Sequence, residues 1–86
     1  MEYIYKTQGT CSSKIRVVLD GDIVREVSFT GGCHGNLQGV SKLVVGLTVD
    51  QVEERLRGIR CGFKSTSCPD QLAIAVRKAY EQSSAQ

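Results

Sequence analysis

Ser13-Lys14-Ile15-Arg16-Val17-Val18-Leu19-Asp20-Gly21-Asp22-Ile23-Val24-Arg25-Glu26-Val27-Ser28-Phe29-Thr30 carries two alternating runs joined by a turn dipeptide. Residues 13–19 alternate, with Ile15, Val17 and Leu19 on one face and Arg16 and Val18 on the other. A period of two marks a strand with one buried side. Asp20-Gly21 follows, a hairpin dipeptide, because a type I′ turn needs positive φ at both central positions. Residues 22–30 alternate again, with Ile23, Val27 and Phe29 together. Arg25 shares that face, which calls for an edge position or a phase shift at a bulge. Residues 2–8, rich in Tyr, Ile and Thr, supply a third strand. The stretch and its flank therefore read as a small antiparallel sheet with one face that needs a cover.

The cover lies downstream. After Gly31-Gly32-Cys33-His34-Gly35, Asn36 is placed to cap a helix that carries Leu37, Val40 and Val44 and stops at Gly46. Thr48-Val49-Asp50-Gln51 matches a capping box, with Thr at N-cap and Gln at N3. The helix it opens places Val52, Leu56 and Ile59 on one stripe, with Gly58 in its last turn. Ser67-Cys68-Pro69-Asp70 opens a third helix, since Pro suits the first turn and the macrodipole favours Asp there. Leu72, Ala75, Val76 and Ala79 form its apolar stripe, and the tail from Ser83 is expected to fray. The expected fold is α+β: a three-stranded antiparallel sheet followed by three helices covering one face.

The 86 residues allow one domain, taken here as 1–86. A chain this short buries only about 60% of its unfolded surface, so a metal, a disulfide or a partner would add to a slim margin. A net charge of +2 is too small to suggest a nucleic-acid or membrane surface. The longest apolar runs are tripeptides such as Ile74-Ala75-Val76, far from a membrane span. The opening Met1-Glu2-Tyr3-Ile4-Tyr5-Lys6 has neither the basic nor the apolar region of a signal peptide, so a cytoplasmic location is expected.

Against that background the cysteines stand out. Cys11, Cys33, Cys61 and Cys68 each fall at an element boundary. No C-x2-C pair is present, which argues against zinc ribbons and thioredoxin-like motifs. A metal site assembled from distant loops remains open, and helix N-termini suit it. Cys33 and Cys68 stand at expected helix starts, where free backbone N–H groups and the macrodipole favour the thiolate that binds metal. The plainer reading has weight too: free cysteine is among the most buried residue types, and one at a helix start is usually packing. Disulfides are disfavoured in a reducing compartment. Four boundary cysteines together tilt the balance towards a ligand cluster.

The remaining candidates are weaker. His34 is either a further ligand or a solvent-facing loop residue, the latter being the commoner case. The glycines around Cys33 could make an anion nest but lack the Walker lysine, and a sharp strand-to-helix turn explains them better. Arg55, Arg57, Arg60 and Lys64 read first as a solvated helix face and second as a docking patch. No Ser/His/Asp arrangement or carboxylate pair suggests catalytic machinery.

Cys61-Gly62-Phe63-Lys64-Ser65-Thr66-Ser67-Cys68-Pro69-Asp70-Gln71-Leu72, with Gly32-Cys33-His34-Gly35-Asn36 upstream, resembles the TSCPD domain family. That resemblance implies a cysteine-rich domain of about this length, occurring alone in small bacterial proteins or at the C-terminus of ribonucleotide reductases, especially cobalamin-dependent ones. Its cysteines would be metal ligands or redox thiols. A reductase barrel does not fit in 86 residues, so a ribonucleoside-diphosphate reductase activity would belong to the associated protein and not to this chain.

A more distant resemblance is to the U-type iron–sulfur cluster scaffold proteins. It rests on Val27-Ser28-Phe29-Thr30-Gly31-Gly32-Cys33 followed by a helix and then Val45-Gly46-Leu47-Thr48-Val49-Asp50-Gln51-Val52. In that family one cysteine precedes a hairpin, as Cys11 does, and another opens a long helix, as Cys68 does. The resemblance implies that Cys11, Cys33 and Cys68 converge at one end of the sheet. The chain departs from the family at Ser13 and Ser67, where Asp and His are common, and Pro69 is its only proline.

Three functions follow as expectations. The first is a non-catalytic domain holding zinc or an iron–sulfur cluster on Cys11, Cys33, Cys61 and Cys68, with His34 as a substitute ligand, in the service of a ribonucleotide reductase or of cluster handling. The second is a thiol redox or docking module for a reductase, with Cys61 and Cys68 as the exchanging pair. The third is an interaction domain with packed cysteines. A homodimer that buries the open sheet face is compatible with all three.

Overall fold

The computed structural model describes residues 2–7, 12–31, 34–60 and 66–84. Three strands come first, β1 (Glu2–Lys6), β2 (Ser12–Asp20) and β3 (Ile23–Gly31), then three helices, α1 (His34–Val44), α2 (Val49–Leu56) and α3 (Cys68–Ser84). The sheet is antiparallel in the order β1-β2-β3, so each strand pairs with its neighbour in sequence. The α+β expectation is met element by element.

The β2–β3 hairpin turns one residue later than the sequence suggests. Asp20 pairs with Ile23, so the loop is Gly21-Asp22, and Gly21 alone has positive φ, at 63°. Glycine at the first central position is the type II′ pattern, not I′. Arg25 resolves as a bulge. Val18 pairs with Glu26 and Leu19 with Val24, leaving Arg25 as the extra residue, exposed and bonded to Asp20 at 2.8 Å. The bulge shifts the phase, so Val24 rather than Ile23 is fully buried.

Ile15, Val17 and Leu19 of β2 with Val24 and Val27 of β3 form the buried sheet face. Leu72, Ala73, Ala75, Val76 and Ala79 of α3, Val44 of α1, and Val49 and Val52 of α2 join them in one cluster. α3 packs on β2 and β1, α1 runs beside β3, and α2 lies against α3. Alanine at three of the α3 contact positions lets the helix approach the sheet closely. Each fully buried Leu, Ile or Val contributes about 1.5–3 kcal/mol. Arg77 ties α3 to α2 by a forked pair to Glu53 at 2.9 and 3.0 Å and a bond to Asp50 at 2.5 Å.

The helix ends follow local chemistry. Thr48 and Gln51 form the expected capping box, Oγ1 accepting from the Gln51 amide at 3.1 Å and Oε1 accepting from the Thr48 amide at 3.0 Å. α2 stops at Leu56, so Ile59 leaves the expected stripe and is 43% exposed. Gly58, at φ 91°, turns the chain out of the helix. α1 starts at His34, so Asn36 lies inside its first turn and does not cap it. Gly31, the last residue of β3, has φ 79°. α3 runs through Ser84, beyond the expected fraying point at Ser83.

Residues 46–49 add a feature with no sequence signature. Val24 N–H donates to the Leu47 carbonyl at 2.9 Å, Gly46 N–H to the Val24 carbonyl at 2.8 Å, and Val49 N–H to the Asp22 carbonyl at 2.8 Å. The connection between α1 and α2 thus covers the start of the outer edge of β3, at residues 22–24, with a bridge between Ile23 and Thr48. Gly46 sustains this with φ 92°. Gly46→Ala is expected to cost about 1–2 kcal/mol from the left-handed backbone alone. Gly39→Ala, inside α1 with open space at its Cβ position, should instead raise stability by about 0.5–1 kcal/mol. Thermal melts of the two variants should move in opposite directions.

Candidate functional site

The start of α3 is built by Thr66-Ser67-Cys68-Pro69-Asp70. Ser67 Oγ accepts from the Asp70 amide at 3.2 Å, and its carbonyl accepts from the Gln71 amide at 2.8 Å, so Ser67 is the N-cap. The Ser67 hydroxyl donates in turn to the Ile59 carbonyl at 2.6 Å, tying the helix start to the chain leaving α2. Pro69 sits in the first turn, where a missing N–H costs no helical hydrogen bond.

Asp70 is the hub. Its carboxylate accepts from Arg57 Nη1 at 2.8 Å, from the Gly58 amide at 2.7 Å and from Thr66 Oγ1 at 2.5 Å. Gln71 Nε2 donates to the same Thr66 hydroxyl at 2.9 Å. The Asp70 side chain is 5% exposed while that of Arg57 is 55% exposed. With the cation half in water, the hydrogen bonds carry more of the stabilisation than the ion pair does. Burial pushes the Asp70 pKa up, but the Gly58, Thr66 and Arg57 donors together hold it below the ordinary carboxylate value. In the sequence Asp70 shows only its favourable place at a helix start, with Thr66 four residues before it as the one local sign of this hub. Arg57 is exposed as expected but lies just past the end of α2 and pairs with Asp70, and Lys64 lies outside the described residues.

α3 packs on β1 as well as on β2. The Tyr5 phenol is held above its ordinary pKa first by burial, then by Tyr3 and by the Asp70 carboxylate. At this same end of the sheet, Lys6 pairs with Lys14, Thr7 N–H donates to the Ser13 carbonyl at 3.1 Å, and Ser12 pairs with Gly31. Ser13 is the extra residue of a second register shift there, and its hydroxyl donates to the Thr30 carbonyl at 3.3 Å.

A family model described as the TSCPD domain matches residues 3–80, from β1 into α3. The chain belongs to the TSCPD domain family. No curated protein and no solved structure matches it.

In this TSCPD domain, four of the five signature letters have described structural roles: Thr66 and Asp70 in the hub, Ser67 as cap, Pro69 in the first turn. Cys68 is the first residue of α3 and half-buried. Cys11, Cys33 and Cys61 lie outside the described residues, and His34 is described only as the first residue of α1. Among the described residues, no group of His, Cys, Asp or Glu is arranged to hold a metal ion. Also among them, no helix is long and apolar enough to cross a membrane.

Proposed function

We propose that this TSCPD domain holds zinc or an iron–sulfur cluster on Cys11, Cys33 and Cys68, with Cys61 as the fourth thiolate. It would serve a ribonucleotide reductase or cluster handling without catalysing a reaction itself. One observation carries the reading. Ser12 pairs with Gly31 at the sheet end where Asp70, in the first turn of α3, raises the Tyr5 pKa. Ser12 follows Cys11 directly, Gly31 lies two residues before Cys33, and Cys68 opens α3. The donor chemistry fits as well, because four thiolates suit zinc or an iron–sulfur cluster and exclude hard cations. Bound there, such a group would cross-link sheet and helices in a domain with a small core.

Anaerobic purification with metal analysis and a visible spectrum tests the proposal. Stoichiometric zinc or a cluster chromophore is expected, lost in each of Cys11→Ser, Cys33→Ser and Cys68→Ser. A chelator should lower the melting temperature of the wild type and leave those variants unmoved. A colourless, metal-free protein whose melting temperature ignores the chelator overturns it.

A specific contact favours a second reading, in which Cys61 and Cys68 are an exchanging dithiol. The Ser67 hydroxyl on the Ile59 carbonyl, at 2.6 Å, closes the chain between residues 59 and 67 on itself. Cys61 is two residues past Ile59 and Cys68 is next to Ser67. Thiol titration in a graded redox buffer should then show a reversible two-thiol oxidation that is lost in Cys61→Ser. Its absence removes the dithiol.

A further inference from the structure

β3 is an edge strand, and among the described residues only the start of its outer edge is covered. Val24 turns its N–H and C=O away from β2, bonding to residues 46 and 47. β2 runs without a register shift from Ile15 to Val18, and Leu19, Val17 and Ile15 alternate regularly along it. Their partners are Val24, Val27 and Phe29. By the period of two in an antiparallel ladder, Val27 and Phe29 also turn their backbone groups outward. No described residue bonds to those outward groups. They open onto a groove of about 300 Å³ between β3 and α1, with Val27, Phe29 and Leu37 among its apolar lining and Ser41 and Lys42 on the α1 side.

We propose that this groove binds an extended, acidic peptide segment of a partner protein, which adds as a strand to β3 at residues 27–31. Three observations select that occupant. The outward backbone groups of Val27 and Phe29 call for another backbone, because an unpaired strand edge is a template for strand addition. Residues 46–49 already make this kind of bond to the start of the same edge, at residues 22–24, so the edge is geometrically competent for it. Lys42 is the one charged residue in the described lining, so an acidic side chain or a terminal carboxylate complements the groove. A second copy of this chain fits less well. It brings the same lysine and no opposite charge to this face, and the small groove falls far short of the roughly 20–30 residues a side of a stable dimer.

The test uses the full chain, labelled with nitrogen-15, and a synthetic hexapeptide alternating valine with threonine and ending in glutamate with a free carboxylate. Titration should move the amide signals of residues 27–31 and 37–42. Hydrogen exchange at the Val27 and Phe29 amides should slow at least about tenfold on saturation, the signature of strand addition. Lys42→Glu, on the helix surface, should weaken the acidic peptide about tenfold or more and favour the same peptide ending in lysine amide. Failure of the acidic peptide to bind at about millimolar concentration overturns the proposal. Binding that leaves exchange at Val27 and Phe29 unchanged also overturns it. So does sedimentation showing a dimer in which those amides are protected without peptide, since a second copy would then be the occupant.

Discussion

Asp70→Ala is expected to destabilise the domain by about 3 kcal/mol, because three donors aimed at one buried carboxylate lose their acceptor together. In a domain of this size that corresponds to a fall in melting temperature of about 12–24 °C. The Gly58 amide and Thr66 hydroxyl lose a charged partner, and Arg57 loses the contact that holds it against the helix start. The acid side of the stability profile carries the same signature. The folded-state pKa of Asp70 lies below the ordinary value, so its contribution is complete above the unfolded value of about 3.9 and is lost as pH falls through the folded value. Asp70→Asn should therefore flatten the drop in melting temperature below about pH 4 that the wild type shows. An unchanged acid limb would mean that the folded-state pKa of Asp70 is not depressed.

Leu72→Ala should cost about 2–5 kcal/mol, since Leu72 is fully buried between α3 and the sheet and its loss leaves a cavity. Total stability for 86 residues is about 4–13 kcal/mol, so this one change consumes a large share of it. Leu43→Ala is the matched control. Leu43 is 77% exposed on α1, and its truncation should stay within about 0.5 kcal/mol. Denaturant midpoints for the pair separate burial from residue type. A small effect at Leu72 would contradict the position of α3 over β2.

Much of the fold is legible in residue patterns because local chemistry and burial agree. The alternation of Ile15, Val17 and Leu19, the box of Thr48 and Gln51, and the stripe from Leu72 to Ala79 each combine periodicity with an end signal. Errors arise where backbone geometry overrides periodicity. Ile23 is displaced from the core by the bulge at Arg25, and Ile59 by the left-handed turn at Gly58. The edge bridge of residues 46–49 has no side-chain signature, since backbone hydrogen bonds leave no mark on residue type. The candidate site is legible as a set of boundary cysteines, and the structure adds described neighbours for it. The hub at Asp70 escaped because its donors, Arg57, Gly58 and Thr66, come from two segments that only the tertiary fold brings together.

The place of α3 in the chain has a consequence for synthesis. The apolar face of the sheet is made first, and its main cover is made last. Strand pairing is between sequence neighbours and closes early, whereas the contacts of α3 with β2 and β1 span most of the chain. A nascent chain halted before Thr66 therefore has a paired hairpin but an uncovered greasy surface, the kind of species that chaperones recognise. Folding competence arrives with the last helix, and anything that delays its docking lengthens the time that surface spends exposed.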